Sequence, residues 1–310
     1  MSMIAEDLRS FVTVIDEASL TRAANTLCVT QSAVSRRIQR LEESLGAELF
    51  DRNSKPPKAT ALAQRIYEYA VPLLRDLDRL LDIPAEHAAP AGTFRLGMTQ
   101  AVADIVLFDA VIALKSAFPA LDVRLHTDWS SGLQQQLAPG SLDAAVLLLP
   151  HGRPPAAGTA GRLITTLDVV VVQSRKKPLV KGRTAIRSLA AHTWVLNPHG
   201  CGYRAALERA MDDAGHSLRV GVDTHGTDMQ LRLVAAGLGL GLVPRSVLQR
   251  SSPYRDLVVV NVNDFALQLD VWLVHPQQLG NLRRAVDLLA DVATETLRKH
   301  DAVKRKRPGV

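Results

Sequence analysis

At 310 residues the chain is longer than a single hydrophobic core usually organises, so two or three folding units are expected. Its hydrophobic fraction of 47% and charged fraction of 22% are those of an ordinary globular protein, and they exclude a largely disordered chain. The net charge of +6 would favour a nucleic-acid partner, but residues 298–310 alone hold six bases and one acid, so the overall charge is weak support for DNA binding.

The first 20 residues carry four acids, whereas a signal peptide needs a basic start and an apolar run. No stretch of the sequence reaches the roughly 18 apolar residues of a membrane span. The two cysteines, Cys28 and Cys201, are too few for a disulfide framework and are typical of a reducing compartment. We therefore expect a cytoplasmic protein with no membrane partner.

Two capping residues predict a pair of short helices joined by a tight turn. Ser19 can begin one helix, and Thr30 can begin the next. The first helix has small apolar residues where two helices must cross closely, namely Ala23, Ala24 and Leu27. The second helix should end at Gly46. Its inward face is predicted to consist of Val34, Ile38, Leu41 and Leu45.

The opposite face of the second helix carries amide, hydroxyl and guanidinium groups. Its members are Gln31, Ser32, Ser35, Arg36, Gln39 and Arg40. In the major groove, arginine can bond guanine twice and glutamine can bond adenine, and the start of a helix favours a phosphate. The alternative is the solvated face of an ordinary helical bundle. The tight helix pair, the capped turn and the basic loop that follows favour DNA recognition.

Residues 60–83 place apolar side chains at spacings of three and four, which predicts one long helix. The stripe consists of Leu62, Ile66, Tyr69, Leu73, Leu77 and Leu80. Because this segment has nothing of its own to cover the stripe, a helix of a second subunit is the simplest partner. Pro72 lies inside the helix and should kink or interrupt it.

After a linker of small residues at 84–92, strand signals alternate with helix signals in two successive sets. The first set has strands at 93–98, 121–126 and 143–149 and helices at 103–118 and 132–137, with a turn at Pro139 and Gly140. The second set has strands at 163–172, 193–196, 220–223 and 240–243 and helices at 203–214 and 228–236. This alternation predicts two α/β lobes with parallel sheets. A ligand cleft is expected between them, beyond the carboxyl ends of the strands.

An ordered set of residues through these elements resembles the LysR-type transcriptional regulators. Its N-terminal part is Phe11, Ser19, Leu20, Thr21, Arg22, Ala23, Ala24, Leu27, Gln31, Ser32, Ala33, Val34, Ser35, Ile38, Leu41, Glu42, Leu45, Gly46, Leu49, Phe50 and Arg52. Its later part lies at residues 92–97, 118–119, 140–143 and 234–244. The N-terminal motif is highly specific, the later landmarks count only as an ordered set, and together they cover essentially the whole chain.

The resemblance implies an α/β protein in three parts. Residues 1–59 would form an N-terminal all-α winged helix-turn-helix, and residues 60–91 a long linker and dimerisation helix with a hinge. Residues 92–310 would form a two-lobed, periplasmic-binding-protein-like effector domain, with lobe one at 92–162 and 266–300 and lobe two at 163–265. The implied partners are a pseudo-palindromic promoter site on double-stranded DNA, a small-molecule effector and further copies of the chain in a homodimer or homotetramer. RNA polymerase is a further candidate partner.

Together with the outer helix face, the resemblance identifies eight candidate DNA contacts. They are Gln31, Ser32, Ser35, Arg36 and Arg40 on the helix, and Arg52, Lys55 and Lys58 in the basic wing. The chain departs from the family pattern at Ser32, where proline is frequent, and at Ala63, where glycine is frequent. Neither departure affects the expected fold, but the first leaves the base preference at Ser32 open.

The resemblance also places effector contacts in loops that lead into helices. The candidates are Thr99, Gln100, Trp129, Ser130, Asn197, Gly200, Cys201, His225 and Thr227. The loops at 99–100 and 199–202 supply hydroxyl, amide and backbone N–H donors, and such groups hold carboxylates. We therefore expect an organic anion as the effector. The alternative is that these loops only cap their helices.

The sequence predicts no catalytic residue, no metal site and no cofactor. Cys201 lacks a positioned base, and Cys28 belongs to another domain, so neither a nucleophile nor a reversible disulfide is favoured. The histidines around Cys201 have no specific ligand spacing; they are His192, His199, His216 and His225. The glycines at 237, 239 and 241 follow a helix, whereas a dinucleotide loop opens one.

Three function classes remain to be weighed. An enzyme would need a catalytic set and an exported solute-binding protein an export signal, and neither is found. A purely architectural DNA protein would not need a large sensing domain. A ligand-responsive transcription regulator is therefore expected, and the basic tail at 304–307 is either a solvated end or a source of nonspecific DNA affinity.

Overall fold

The computed structural model of the chain describes residues 3–51, 58–82, 88–137, 141–249 and 251–302. The chain divides into two compact units, with the main boundary between Ala85 and Glu86. None of the helices in the described ranges combines the length and apolarity needed to cross a membrane.

Four helices and a small strand pair form the first unit. They are α1 (Met3–Glu17), α2 (Leu20–Thr26), α3 (Gln31–Leu45), β1 (Phe50–Asp51), β2 (Lys58–Ala59) and α4 (Ala61–Asp82). The hydroxyl of Ser19 accepts a hydrogen bond from the backbone N–H of Arg22, and that of Thr30 accepts one from the N–H of Ala33. Gly46 ends α3 in the left-handed conformation at φ 65°. Both predicted helix starts and the predicted helix stop are therefore confirmed.

The core of the first unit is the predicted inner face of α3 together with α1, α2 and the residues that follow Gly46. Its buried members are Phe11, Val14, Ala23, Ala24, Val34, Ile38, Leu41, Leu49, Phe50, Ala63 and Ala70. The placement of Leu45 on this inner face was wrong, because its side chain is 46% exposed. Leu45 is the last residue of α3, and the chain turns back after it so that Leu49 and Phe50 fill the core instead.

Helix α4 is continuous over Ala61–Asp82, so Pro72 does not interrupt it. One face of α4 packs against the helix-turn-helix through Ala63 and Ala70, and Asp78 accepts hydrogen bonds from Arg9 of α1. Most of the predicted apolar stripe lies on a different face. Tyr69 is 78% exposed, and Leu62, Leu73 and Leu80 are exposed as well.

The second unit contains all the strands and helices predicted after residue 92, with small shifts at their ends. Its strands are β3 (Gly92–Met98), β4 (Leu121–Thr127), β5 (Ala144–Pro150), β6 (Thr159–Ser174), β7 (Arg183–Thr184), β8 (Thr193–Leu196), β9 (Arg219–Asp223), β10 (Gly241–Pro244), β11 (Leu257–Val259), β12 (Asn261–Val262) and β13 (Leu267–Pro276). Its helices are α5 (Gln100–Ala117), α6 (Ser130–Leu137), α7 (Gly202–Asp213), α8 (Thr227–Ala235), α9 (Arg245–Leu248) and α10 (Arg283–Ala302). The predicted turn at Pro139 and Gly140 lies outside the described residues.

Seven strands form one mixed sheet in the order β10-β6-β13-β5-β3-β4, with β11 also paired to β6. Strands β4, β3 and β5 are parallel, as are β8 and β9 in a separate pair. The expectation of purely parallel sheets was wrong for the rest, because β13 runs antiparallel to both β5 and β6, and β10 runs antiparallel to β6. The long return strand β13 enters the sheet from the opposite direction, which the local helix and strand signals do not reveal.

Strand β6 belongs to both lobes. Residues up to Val169 pair with β13, which also pairs with β5, whereas residues from Val169 onward pair with β10 and β11. The C-terminal helix α10 then packs against α5, where the Thr296 hydroxyl donates to Asp109 at 3.0 Å. The two lobes are therefore joined by the continuous strand β6. The carboxyl ends of β3 and β8 lead into α5 and the loop before α7.

Candidate functional site

The outer face of α3 presents the polar groups that the sequence places there. Gln31, Ser32 and Arg36 are exposed, and Ser35 is half-buried. The amide oxygen of Gln31 accepts a hydrogen bond from Thr21 of α2 at 3.3 Å, which couples the two helices of the motif. Arg36 makes no hydrogen bond or ion pair with any described residue, so its guanidinium is free for a partner.

Two neighbouring arginines of α3 are held by α1. Arg40 donates through Nε to the buried carboxylate of Asp7 at 3.1 Å, and Arg37 forms an ion pair with Glu6 at 3.0 Å. The hydrogen bond that Arg40 donates to Asp7 raises the pKa of Arg40 above its usual value. Arg40, a predicted DNA contact, therefore has a partner within the protein, and its contact with DNA stays a prediction.

The wing is described only in part. Phe50 and Asp51 of β1 pair with Ala59 and Lys58 of β2, and Lys58 is exposed. Arg52 and Lys55, the other two basic wing residues expected to contact DNA, lie outside the described residues.

At the end of β3, Thr99 occupies the position that begins α5. Its side chain makes no capping hydrogen bond, and its hydroxyl oxygen is buried without a hydrogen-bond partner in the described part of the chain. The next residue, Gln100, is exposed, and its amide nitrogen donates to Asp104 at 2.6 Å. The Thr99 hydroxyl is therefore not used to cap α5, and its contact with an effector stays a prediction.

Asn197 has a matching position at the end of β8. Its amide nitrogen donates to Gln230 of α8 over 3.4 Å, while its side-chain oxygen is buried and unpartnered among the described residues. Gln230 in turn donates to the backbone oxygens of Val195 and Leu242 and so ties β8 to β10. Unpartnered buried side-chain atoms also occur at Ser246 and Trp272 of this unit, away from the predicted loops.

Loops from the two lobes meet at Trp129 and Gly200. A Cβ atom added to Gly200 would lie 2.9 Å from Cδ1 of Trp129, and Gly200 has a φ of 99°, so this position strongly favours glycine. Ser130 is engaged elsewhere, because its hydroxyl both donates to and accepts from the backbone of Leu148 in β5. Thr227 is buried as the first residue of α8, and His225 is exposed before it.

Two family models match the chain and together span both units. One, described as the LysR substrate binding domain, matches residues 87–298. The other, described as the bacterial regulatory helix-turn-helix protein of the lysR family, matches residues 5–64. The chain belongs to the LysR family of bacterial transcription regulators. It is thus a DNA-binding regulator with a two-lobed effector-binding domain, and the family is not enzymatic.

Individual relatives agree with this membership of the LysR family. The HTH-type transcriptional regulator BenM of Acinetobacter baylyi is 29% identical over 244 residues, which cover 77% of this chain and 79% of BenM. Full-length OxyR of Pseudomonas aeruginosa superposes with a TM-score of 0.70 at 20% identity over 94% of each chain. CbnR in complex with its target DNA superposes with a TM-score of 0.62 at 21% identity, over 94% of this chain and 100% of CbnR. At these identities the two structures show the fold alone.

Cys201 is a buried thiol at the start of α7. It is 2% exposed, and burial raises its pKa above the ordinary thiol value. A thiol with a raised pKa is mostly protonated at neutral pH and is a poor nucleophile. Within the described ranges, no group of three or more histidines, cysteines or carboxylates is placed to hold a metal ion.

Sequence reasoning missed Arg204, which organises the loop that holds Asn197 and Cys201. Its side chain is 6% exposed, and it forms ion pairs with Glu208 at 2.7 Å and Asp223 at 2.6 Å. It also donates to the backbone oxygen of Asn197 at 3.2 Å. The spacing of Arg204 and Glu208, four residues apart on a helix, was the available signal, but such pairs usually lie on solvated faces.

Proposed function

We propose that the outer face of α3 reads a DNA site in the major groove and that a small organic anion, bound between the lobes of the second unit, changes the affinity for that site. The observation that carries the effector half of this proposal is the buried hydroxyl of Thr99, which has no partner among the described residues. A buried polar group without a partner costs free energy, and a ligand that pairs with this hydroxyl would recover that cost.

The chemistry of the two loops supports an anion that also carries a donor group. The Thr99 hydroxyl can donate to a carboxylate, as can backbone N–H groups at the start of α5. The free side-chain oxygen of Asn197 accepts, so it would take a hydroxyl or amino group of the same ligand. A hydroxylated or amino-substituted organic acid fits both requirements. Trp129, packed against Gly200, supplies an apolar wall between the loops of the two lobes.

The DNA half of the proposal assigns direct base contact to Gln31, Ser32, Ser35 and Arg36. Arg36 is supported best, because it is exposed on α3 and makes no bond within the described part of the chain. The same reasoning favours Arg37 and Arg40 as anchors of the helix to α1. Lys58 would contact phosphate, as would Arg52 and Lys55 if the wing follows the family pattern.

Self-association is supported by apolar surface in both units. The exposed stripe on α4, with Tyr69, Leu73 and Leu80, fits a helix of a second copy. Helix α5 exposes a separate pair, Phe108 and Ile112. The α4 surface would join two copies into a dimer, and the surface of the second unit would join dimers into a tetramer. The paired helix-turn-helix units would then bind a pseudo-palindromic site.

The same proposal includes three further parts. They are the division into residues 1–59, 60–91 and 92–310, the cytoplasmic location with the chromosome, and contact with RNA polymerase.

The test is a gel shift of the purified full-length chain on the DNA upstream of its own gene, with random DNA as competitor and a panel of hydroxy and amino acids. We expect specific binding whose affinity or footprint changes with one compound, because a ligand acts through different affinities for two arrangements of the protein. No preference for any DNA in this assay or in a genome-wide selection would overturn the DNA half. Specific binding that no acid alters would overturn the effector half.

A further inference from the structure

Helix α1 is bound to both α3 and α4 through charged and polar side chains. Glu6 and Asp7 of α1 pair with Arg37 and Arg40 of α3, as described above. Other residues of the same helix contact α4. Helix α1 therefore connects the helix that carries the candidate DNA contacts to the helix that carries the exposed apolar stripe.

Two side-chain contacts join α1 to α4. Both terminal nitrogens of Arg9 donate to the carboxylate of Asp78, one of them at 3.1 Å, which is the strong two-point form of an ion pair. The hydroxyl of Tyr67 donates to Asp16 at 2.5 Å. Burial and this hydrogen bond raise the pKa of Tyr67 to about 12, so the hydroxyl keeps its proton at neutral pH. At 1.5 Å per residue, the two contacts hold α4 at points about 16 Å apart along its axis.

The two contacts lie on one face of α4, which is called here the inner face and consists of Ala63, Tyr67, Ala70, Leu74 and Asp78. Its two alanines and its leucine are buried. The exposed stripe at positions 62, 69 and 73 lies one residue before members of this face, or about 100° around the helix. Helix α4 can therefore contact α1 with its inner face and a second copy of the chain with its stripe.

The length of α4 makes its angle to α1 important for DNA binding. Its 22 residues span about 33 Å, so a tilt of about 10° at one end would move the other end by roughly 6 Å. That displacement is close to two base-pair steps along DNA. In a dimer joined through α4, the same tilt would change the separation of the two α3 helices by a similar distance. Two points of attachment resist such a tilt better than one.

We propose that Arg9 and Tyr67 are positioning residues, which fix the angle between α4 and the helix-turn-helix and thereby set the spacing of the two half-sites that a dimer binds. This inference rests on the DNA contact by α3 and on the α4 dimer of the proposed function. Neither residue contacts a base. A site with the correct spacing engages both copies, whereas a site with another spacing engages one copy and loses the affinity that the second copy adds.

The experiment measures binding of the full-length chain to DNA with one half-site and to DNA with two half-sites, whose spacer is shortened or lengthened by one or two base pairs. The half-sites come from the specific site found by gel shift or genome-wide selection. Arg9→Gln and Tyr67→Phe each remove one contact with α4. The double variant Arg9→Asp with Asp78→Arg exchanges the two charges. Glu68→Gln is the matched control, since Glu68 is exposed on α4 and makes no bond with a described residue.

The parent chain should bind the best spacing at least about tenfold more tightly than a spacing changed by one base pair. In Arg9→Gln and in Tyr67→Phe this preference should fall to about threefold or less, while the affinity for one half-site stays unchanged. The charge-exchanged variant should regain the preference, and Glu68→Gln should keep it. If Arg9→Gln fails to fold, Tyr67→Phe decides the matter, because it removes only a hydroxyl.

A lower melting temperature with an unchanged spacing preference would give both residues a purely structural role and overturn the inference. Weaker binding of the variants to one half-site would place their effect in α3 and overturn it as well. If the parent binds a half-site but prefers no spacing, the inference alone fails. If the parent binds no half-site specifically, the DNA half of the proposed function fails with it.

Discussion

The outer face of α3 and the loops after β3 and β8 differ in how their polar side chains are exposed and paired. On α3, Arg36 is exposed and makes no bond with a described residue, while Arg37 and Arg40 beside it are held by acids of α1. In the second unit, Thr99 and Asn197 are buried, and each keeps one atom without a partner in the described part of the chain. Arg204 close by donates to two acids and a backbone oxygen.

The partners proposed for the two sites would account for this difference. A free cation on the surface costs little, because water solvates it until the large, charged DNA arrives. A free hydroxyl in the interior costs more, and a water molecule or a small ligand that enters the protein would relieve that cost. In both places the candidate functional groups stand out because their neighbours are already paired.

The largest expected effect is a loss of affinity for the specific DNA site when the exposed Arg36 is replaced. Arg36→Ala should weaken binding to the specific DNA site by about 2 kcal/mol, or roughly thirtyfold, because a bidentate arginine–guanine contact is lost. Affinity for random DNA should change much less. Gel shifts on specific and random DNA measure both, with Arg209→Ala, an exposed arginine of α7, as the control. Unchanged affinity for the specific site would show that Arg36 does not contact the bases.

Replacing Arg204, which is buried and paired, should affect the stability of the protein instead of its recognition of DNA. Arg204→Ala should destabilise the second unit by about 2 kcal/mol, since Glu208, Asp223 and the backbone oxygen of Asn197 lose charged hydrogen bonds. Urea unfolding followed by circular dichroism measures this loss. Arg209→Ala, on the same helix, should change little. A loss no larger than that control would show that the network around Arg204 does not hold the loop.

Thr99→Val tests the buried, unpaired group. The variant should fold and bind DNA like the parent chain, because the Thr99 hydroxyl makes no bond within the described part of the protein. It should bind the effector about tenfold more weakly, the value of one hydrogen bond to a charged group. Calorimetry with the compound found in the gel-shift panel measures this change, and Thr294→Val of α10 is the matched control. Full effector affinity in Thr99→Val would contradict the loop site.

Arg40→Gln tests whether Arg40 anchors α3 to α1 or contacts the bases of the DNA site. If Arg40 anchors the helix to α1, the variant should lower the melting temperature and leave the preference at every base of the DNA site intact. The reason is that the variant leaves the buried carboxylate of Asp7 without its ion pair. Melting curves and gel shifts on single-base variants of the site measure the two effects. Relaxed preference at one base would restore Arg40 to the DNA contacts predicted from the sequence.

The smallest expected effect is the pH dependence of stability that the buried carboxylate of Asp270 in β13 contributes. Burial by itself would raise the pKa of Asp270, but hydrogen bonds from His151, Thr166 and the backbone N–H of Gly152 outweigh it and lower the pKa. A lowered folded-state pKa means that this stabilisation is complete above the unfolded value of about 3.9 and is lost as the pH falls through the folded value. Asp270→Asn should therefore be less stable than the parent near neutral pH, and the gap should narrow in acid. Urea unfolding at several pH values measures it, with exposed Asp287→Asn as the control; a gap that widens in acid would contradict the assignment.

The sequence by itself determined the parts of this protein that depend on near neighbours along the chain. Ser19 and Thr30 begin their helices through hydrogen bonds to an N–H three residues later, and the period of Val34, Ile38 and Leu41 sets the inner face of α3. The alternating strands and helices of the second unit follow from the same kind of local signal. Membership of the LysR family was also readable, because its N-terminal motif is a fixed local spacing.

Tertiary structure alone decided which polar groups are paired. Arg40 meets Asp7 across 33 positions of the sequence, and His151 meets Asp270 across 119, so no local spacing could predict either pair. The exposure of Leu45 and the antiparallel course of β13 have the same origin. A hydrogen bond within one helical turn needs only the local backbone, whereas an ion pair or a cavity exists only when distant segments have already packed together.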